Sequence, residues 1–445
     1  MTYFECFVMD DTAHVDLSTL VDLGALSKYI GQEVSVAGWI TRQHAPGSKL
    51  MFIDLFDGTG SIQLVIKGAM VKPYRKLLFE QTCVSARGQV EADSRSLSGF
   101  CMQLERVQIV GPGSGEFTKL FNSDSDSLTK MQQRHNLIRD PTTGQAQILR
   151  LRASLEGRIY RWFEEQGWIK VSPPAIVTGQ CEGGATLFPL AIKPDYFGKP
   201  AYLTQSSQFY LETVVPAFKR VWCLEKSFRA EPHCDTPRHL CEYTHLEGEL
   251  GFCDLVGLME HLTSLVCAIA DFKPDQFAQV TYRQALELLN RDQREQGTDV
   301  EYSFGLDLTD SMERRLMELY PDKVQLLFVT HYPKALKSFY MKPDPADPEQ
   351  VLCCDLLLRG VGEVVGASVR EDQLEPLIER MKAEGLDLDS YAYYLDLRRF
   401  GSCPHAGYGL GLERLIKYLG ERAGLTVRSV RECCLYPRST GRAYQ

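Results

Sequence analysis

The segment from Phe228 to Glu249, FRAEPHCDTPRHLCEYTHLEGE, restricts the fold of this chain more than any other. Its centre, PHCDTP, is too rich in Pro and Asp to continue a strand or a helix, so the chain must arrive, turn and come back. The spacing predicts strand, loop, strand. Phe228 to Glu231 leave one strand, and Glu242 to Glu249 return along a second on which Tyr243, His245, Glu247 and Glu249 share a face. Arg229, Glu231, Arg238, His239, Glu242 and Tyr243 then crowd one end of the hairpin. Two readings fit such a cluster. Arg offers phosphate a rigid donor fork and Tyr offers adenine a flat face, which suits a polyphosphate nucleotide. A charged hairpin laced by surface ion pairs would have the same composition.

The 445 residues suffice for two or three domains, and 44% apolar with 24% charged residues is ordinary for a soluble globular protein. No apolar run approaches the roughly 18 residues that span a bilayer. The first twenty residues, with Glu5, Asp10, Asp11 and Asp16 and no Lys or Arg, do not make a signal or transit peptide, so a cytosolic protein without membrane contact is expected. There are fourteen cysteines, two pairs of them adjacent (Cys353 with Cys354, Cys433 with Cys434) and none in C-x-x-C spacing. That pattern favours reduced, mostly buried thiols and no zinc. Net charge is −9, yet residues 31–112 hold nine Lys/Arg against seven Asp/Glu, a weak basic bias that permits a nucleic-acid partner.

Residues 1–30 are an acidic lead with one short helix expected from Leu17 to Ile30 and no assigned role. From Gly31 the chain alternates: EVSVAGWI, KLMFIDLF, SIQLVI, TCVSARGQVEA and CMQLERVQIVG, divided by turns such as DGTG. Five short strands at this spacing predict a small OB-fold barrel over 31–112. Met51, Ile53 and Leu55 fill its interior, which sends Phe52 to the opposite face, although a strand aromatic is also a common core residue. Arg42 and Lys49 suit phosphate contacts or a solvated loop equally. Residues 113–147 have linker composition. From 148 to 445 an α+β domain is expected, with a mostly antiparallel sheet flanked by helices. It opens on a helix carrying Ile148, Leu151, Leu155, Ile159 and Phe163, followed by WIKVSPPAIV, where Pro173 and Pro174 impose an edge or bulge. GQCEGGATLFPL is glycine-rich with one fixed charge, Glu182, and YLTQSSQFYLE reads as a strand with Ser206, Gln208 and Tyr210 on one face. An insertion around 271–347 holds helices at Tyr282 to Asn290 and at Asp310 to Leu319, the latter opening on a D-x-x-E cap of Asp310 and Glu313, and a buried strand VQLLFVTH.

The hairpin resembles motif 2 of the class II aminoacyl-tRNA synthetases, and GYGLGLERL, residues 407–415, resembles their motif 3. The helix and Pro-bearing strand near 148–177 are similar to motif 1, which implies a homodimer. With the barrel in front, the likeness is to the subgroup for Asp, Asn and Lys. It covers residues 31–445 and implies ATP and Mg²⁺. In that resemblance Arg229 serves the α-phosphate and the amino-acid carboxylate, Glu231 the adenine amino group and Tyr243 the adenine ring. Arg238 and His239 hold the distal phosphates, and the loop 232–237 reaches the tRNA acceptor end. Asp355 and Glu363 coordinate Mg²⁺, while Gly411 and Arg414 complete the ATP site. Arg229, Glu363 and Arg414 are thus the expected catalytic residues. Glu182, Gln208 and Glu247 face the substrate ammonium, and Arg370 receives its side-chain carbonyl. Arg370 stands seven residues after Glu363 and so on the opposite face of a regular strand. Phe52 and Gln63 would stack and read an anticodon base. Aspartate-specific members hold a lysine where this chain has Leu211. Without that cation a buried substrate carboxylate lacks compensation, which favours L-asparagine and tRNA-Asn. An aspartyl or non-discriminating enzyme and a tRNA-independent asparagine synthetase paralogue are the alternatives. Arg359 and Ala367 depart from the subgroup's usual Pro and Gly.

Overall fold

The computed structural model describes residues 17–96, 98–121, 125–179, 187–191, 193, 196–231 and 236–443, so Glu182 and most of the loop 232–237 lie outside the described residues. The chain divides into two compact units, 1–143 and 144–445.

In the first unit, strands β1 (Glu33–His44), β2 (Leu50–Phe56), β3 (Ser61–Lys67), β4 (Cys83–Ala92) and β5 (Phe100–Gly111) close into a barrel of order β1-β2-β3-β5-β4. Closure leaves no unpaired edge, and alternate residues fill the interior. On β2, Met51, Ile53 and Leu55 are buried while Phe52, Asp54 and Phe56 are half-buried on the outer face. The expected helix near Leu17 to Ile30 is instead a pair of 3₁₀ turns, Leu17–Thr19 and Leu23–Tyr29, which drop Leu23 and Leu26 into the barrel core. Part of the lead is therefore a plug for the barrel. The linker also carries structure, with α1 (Ser127–Gln132) capped by Asp126 and α2 (Arg134–Arg139).

The second unit begins with α3 (Gln145–Glu165), whose Ile148, Leu155, Ile159 and Phe163 are buried at helical spacing. Next come β6 (Ile169–Lys170) and a three-stranded patch of β7 (Ile176–Val177), β8 (Phe188–Pro189) and β9 (Tyr202–Leu203). Then follow α4 (Gln208–Phe218), β10 (Arg220–Phe228), β11 (Glu242–Gly251), α5 (Leu255–Ala270), β12 (Phe277–Thr281), α6 (Tyr282–Glu295), α7 (Asp310–Glu318) and β13 (Leu326–Thr330). The last stretch holds β14 (Pro343–Asp344) paired with β15 (Asp347–Val351), then β16 (Cys353–Leu358), β17 (Gly362–Val369), α8 (Leu374–Ala383), α9 (Ala392–Arg399), β18 (His405–Gly411) and α10 (Leu412–Arg422). One sheet runs β12-β13-β16-β17-β18-β11-β10-β6, antiparallel except at its two ends. Its core packs α3, α5 and α10 against one face. No described helix is long and apolar enough to cross a membrane.

Three local expectations change. QSSQFYLE is not a strand: Gln208 opens α4, and Gln208, Leu211, Glu212 and Val215 are buried at helical spacing. The cap of α7 is Thr309, whose hydroxyl accepts from the Met312 amide, so Asp310 and Glu313 are released for other work. β17 is bulged: Leu356 pairs with Val365 but Leu357 with Glu363, which adds one residue and turns Glu363 and Arg370 toward the same cavity.

His261, on α5, stacks on Trp168 with ring centroids 4.7 Å apart and shares a 3.2 Å hydrogen bond with the Tyr408 hydroxyl. Burial, with the Arg220 charge adding, pushes its imidazole down to about 3. Below the ordinary value of 6.5 the unfolded chain takes a proton that the folded chain refuses. This group should therefore cost about 1.4 kcal/mol of stability per pH unit on the way down to about pH 3. Urea unfolding at pH 7 and pH 5 should show a shallower acid loss in His261→Phe than in the parent. Equal losses would contradict it.

Candidate active site

One cavity of about 390 Å³ opens over the sheet, and its walls bring together Arg229, Glu231, Arg238, His239, Tyr243, Glu247, Asp355, Glu363, Arg370, Gly411, Arg414 and Gln208. These residues span more than two hundred positions of chain, and the antiparallel contacts β10-β11, β11-β18 and β18-β17 are what gather them. The alternation on β11 holds, with Tyr243, His245, Glu247 and Glu249 all lining the cavity.

At one end the site is cationic. The Arg229 guanidinium lies 5.7 Å from the centre of the Tyr243 ring, within cation–π range. Arg414 donates from Nη1 to the Glu363 carbonyl at 2.5 Å, and its charge stands 3.6 Å from the Glu363 carboxylate. Burial, then the Arg414 and Arg238 charges, holds the His239 imidazole below its ordinary range, so the ring is neutral near pH 7. The adjacent Glu413 is structural. It accepts from the Thr244 amide and from Arg152 at 2.8 Å, tying α10 to β11 and α3.

Asp355 and Glu363 reach over Gly366 on the paired strand. A Cβ there would lie 3.4 Å from Glu363 Oε1 and 3.9 Å from Asp355 Oδ1, so a glycine keeps the space between the two carboxylates open. Lys337, on a segment without a sequence motif, donates to Asp355 Oδ2 at 2.8 Å. Burial pushes the Asp355 carboxyl up, Lys337 opposing and the Glu363 charge adding. Burial would raise the Glu363 carboxyl, but the charges of Arg414, Lys337, Arg229 and Arg238 overcome it and hold the carboxyl below its ordinary range. No group of three or more His, Cys, Asp or Glu side chains that could cage a metal occurs among the described residues. Two converging carboxylates do fit a hydrated Mg²⁺ that takes its remaining oxygens from phosphates and water.

The other end is a buried polar pocket. Arg370 donates through Nη2 to Glu249 Oε1 at 2.5 Å and through Nη1 to Ser368 Oγ at 2.7 Å, with both partners of the ion pair almost sealed from solvent. Burial pushes the Glu249 carboxyl up to about 7 against the pull of Arg370, and the Glu212 charge adds to the rise. Glu247 accepts from the Ser206 hydroxyl and from the Ser207 amide at 2.9 Å, at the N-terminus of α4, where a carboxylate is favoured. Behind the wall, Gln208 Nε2 donates to Glu212 at 3.0 Å. Glu212 also takes Arg398 Nη2 at 2.8 Å, His405 at 2.8 Å and the Tyr394 hydroxyl at 2.9 Å.

Some expected residues fall elsewhere. Leu211 is fully buried with Val215, Val221 and Cys223 and does not line the cavity. Of the glycines in GYGLGLER, only Gly411 faces open space, because Gly407 makes room for Glu249 and Gly409 for His245. Phe52 and Gln63 belong to the barrel's outer face, where Gln63 Nε2 donates to Asp54 at 3.1 Å. Arg359 binds the carbonyls of Val324, Tyr320 and Pro321 instead of entering the site. Glu249 stood on the predicted face without a role, and only its pairing with Arg370 reveals one.

A family model described as tRNA synthetases class II (D, K and N) matches residues 126–440, and one described as an OB-fold nucleic acid binding domain matches residues 34–110. The chain is 37% identical to the Asparagine--tRNA ligase of Thermococcus gammatolerans, across 93% of this chain and 96% of the relative. It is 36% identical to the cytoplasmic Asparagine--tRNA ligase of Debaryomyces hansenii, across 95% of this chain and 78% of the relative. Among solved structures, asparaginyl-tRNA synthetase from Pyrococcus horikoshii complexed with asparaginyl-adenylate aligns with a TM-score of 0.83 and 34% identity, over 94% of this chain and 97% of that one.

Proposed function

We propose, for a chain that belongs to the class II tRNA synthetases (D, K and N) and within them to the asparagine--tRNA ligases, that it activates L-asparagine with ATP and transfers the asparaginyl group to tRNA-Asn. The observation that carries the choice of amino acid is the buried Arg370 and Glu249 pair. An amide presents one acceptor and one donor. Arg370 donates to its oxygen and Glu249 accepts from its nitrogen, whereas the carboxylate of aspartate would face the Glu249 charge.

The substrate carboxylate attacks the α-phosphorus, the new bond being oxygen to phosphorus and the broken one that to pyrophosphate. No protein nucleophile is required. Arg229 neutralises charge accumulating on the reacting phosphate, and Arg238, His239 and Arg414 hold the remaining phosphates. Glu247, fixed by the α4 N-terminus, and Gln208 receive the ammonium group. Asp355 and Glu363 would hold Mg²⁺, which offsets phosphate charge when bound. Half-buried Phe52, with Gln63 beside it on the outer face of the barrel, supports stacking and reading of an anticodon base. Exposed Tyr160, Ile169 and Ile176, around the short edge strand β6, support dimerisation through residues near 148–177.

Pyrophosphate exchange with asparagine and with aspartate tests the reading. Asparagine should drive it and aspartate should not, with the preference shrinking below pH 7 as Glu249 protonates and becomes a donor. Exchange driven by aspartate alone would establish the aspartyl alternative.

A further inference from the structure

The insertion helix α7 packs behind the phosphate end of the cavity, against two residues of its wall, Arg238 and Glu363. Asp310 and Glu313, freed from capping, both take the Nη edge of Arg238, Glu313 Oε2 lying 3.2 Å from each Nη. The same oxygen accepts the Glu363 amide at 3.1 Å, so one carboxylate bridges a phosphate-binding arginine and the backbone of a metal-binding glutamate. The junction is closely built. Gly362 sits at φ +88°, and a Cβ on it would lie 2.6 Å from Glu313 Oε2 and 3.0 Å from Arg238 Nη1. Only glycine satisfies both the backbone angle and the space. A second observation points to a ligand: the Arg238 side chain is 10% exposed, and its Nε has no partner among the described residues. The guanidinium has five N–H donors and the two carboxylates take three of them, so the Nε hydrogen and one Nη2 hydrogen remain on a side chain that lines the cavity.

We propose that Glu313, assisted by Asp310, is a positioning residue for ATP: it sets the orientation of Arg238 toward the distal phosphates and fixes the turn that carries Glu363. The insertion is thereby part of the nucleotide site although α7 contributes no side chain that lines it. This rests on the assignment of Arg238 and Glu363 given above.

The test uses the full chain and three variants, Glu313→Gln, Glu313→Ala and Arg238→Ala. Calorimetric titration with ATP and Mg²⁺, without amino acid, is paired with pyrophosphate exchange at varied ATP and varied asparagine. Glu313→Gln keeps the volume and one weaker acceptor. The dissociation constant and KM for ATP should rise roughly tenfold in Glu313→Ala, and less in Glu313→Gln, with KM for asparagine unchanged. Unchanged or tighter ATP binding in both Glu313 variants, alongside a clear loss in Arg238→Ala, overturns the role of Glu313 alone. Equal rises in KM for ATP and asparagine mark a merely structural residue and overturn it too. Normal ATP binding in Arg238→Ala removes the assignment of Arg238, and the proposal with it.

Discussion

Arg229→Ala is expected to lower asparagine-dependent pyrophosphate exchange by about 10³-fold, the scale seen when a preorganised donor to a developing anion is removed. The side chain leaves the end of β10 just where the backbone of the hairpin is still pinned, its amide donating to the Cys241 carbonyl at 2.9 Å. The guanidinium is therefore presented from a rigid position over Tyr243. Since its charge matters most when the phosphate is pentacoordinate, kcat should fall more than KM for ATP rises. The melting temperature should change by no more than about 2 °C, because no tightly packed core contact is lost. Arg229→Lys keeps the charge without the fork and should fall between the two. A variant with exchange within tenfold of the parent would remove Arg229 from the chemistry.

Glu212→Ala should produce the largest loss of stability. The carboxylate is fully enclosed, and against the cost of burial Arg398 and the hydrogen bond from His405 hold it far below its ordinary range. Deleting it strands a guanidinium that is 0% exposed, which costs about 3–5 kcal/mol. In a unit of this size that is a fall of roughly 10 °C in melting temperature. A depressed carboxyl stabilises fully above its unfolded value of 4.5 and loses that contribution progressively as pH falls from there toward its much lower folded value, so Glu212→Gln should also flatten the acid limb of the stability curve. A melting temperature within about 2 °C of the parent for the alanine variant would mean the network is not holding the wall together.

The hairpin was legible because alternation and a Pro-rich interruption are local facts: Tyr243, His245, Glu247 and Glu249 needed no knowledge of the rest of the chain. The barrel was legible for the same reason, through Met51, Ile53 and Leu55. What escaped was mostly non-local. Nothing in PKALKSFYM announces that Lys337 will meet Asp355, and D-x-x-E before a helix reads as a cap unless Arg238 is known to stand opposite. A bulge leaves no mark in an alternating pattern, so the phase of Glu363 against Arg370 came out wrong by one residue. QSSQFYLE carries both periods, but Gln208, Leu211, Glu212 and Val215 repeat at helical spacing and that period wins. Its alternation places Ser206, Gln208 and Tyr210 on one face and gives no sign of Glu212 or the network behind the cavity.

The bare strand β18 has a consequence for how this protein tolerates change. Gly407 and Gly409 carry no side chain, yet a single methyl on the first would collide with the Glu249 carboxylate and one on the second with the His245 ring. Gly407→Ala would push Glu249 off Arg370, the pair proposed above to select the amino acid, from the neighbouring strand. In a saturation screen scored on growth or charging, these two positions should be among the least permissive in the chain, and neither would be found by looking for groups that can donate, accept or carry charge.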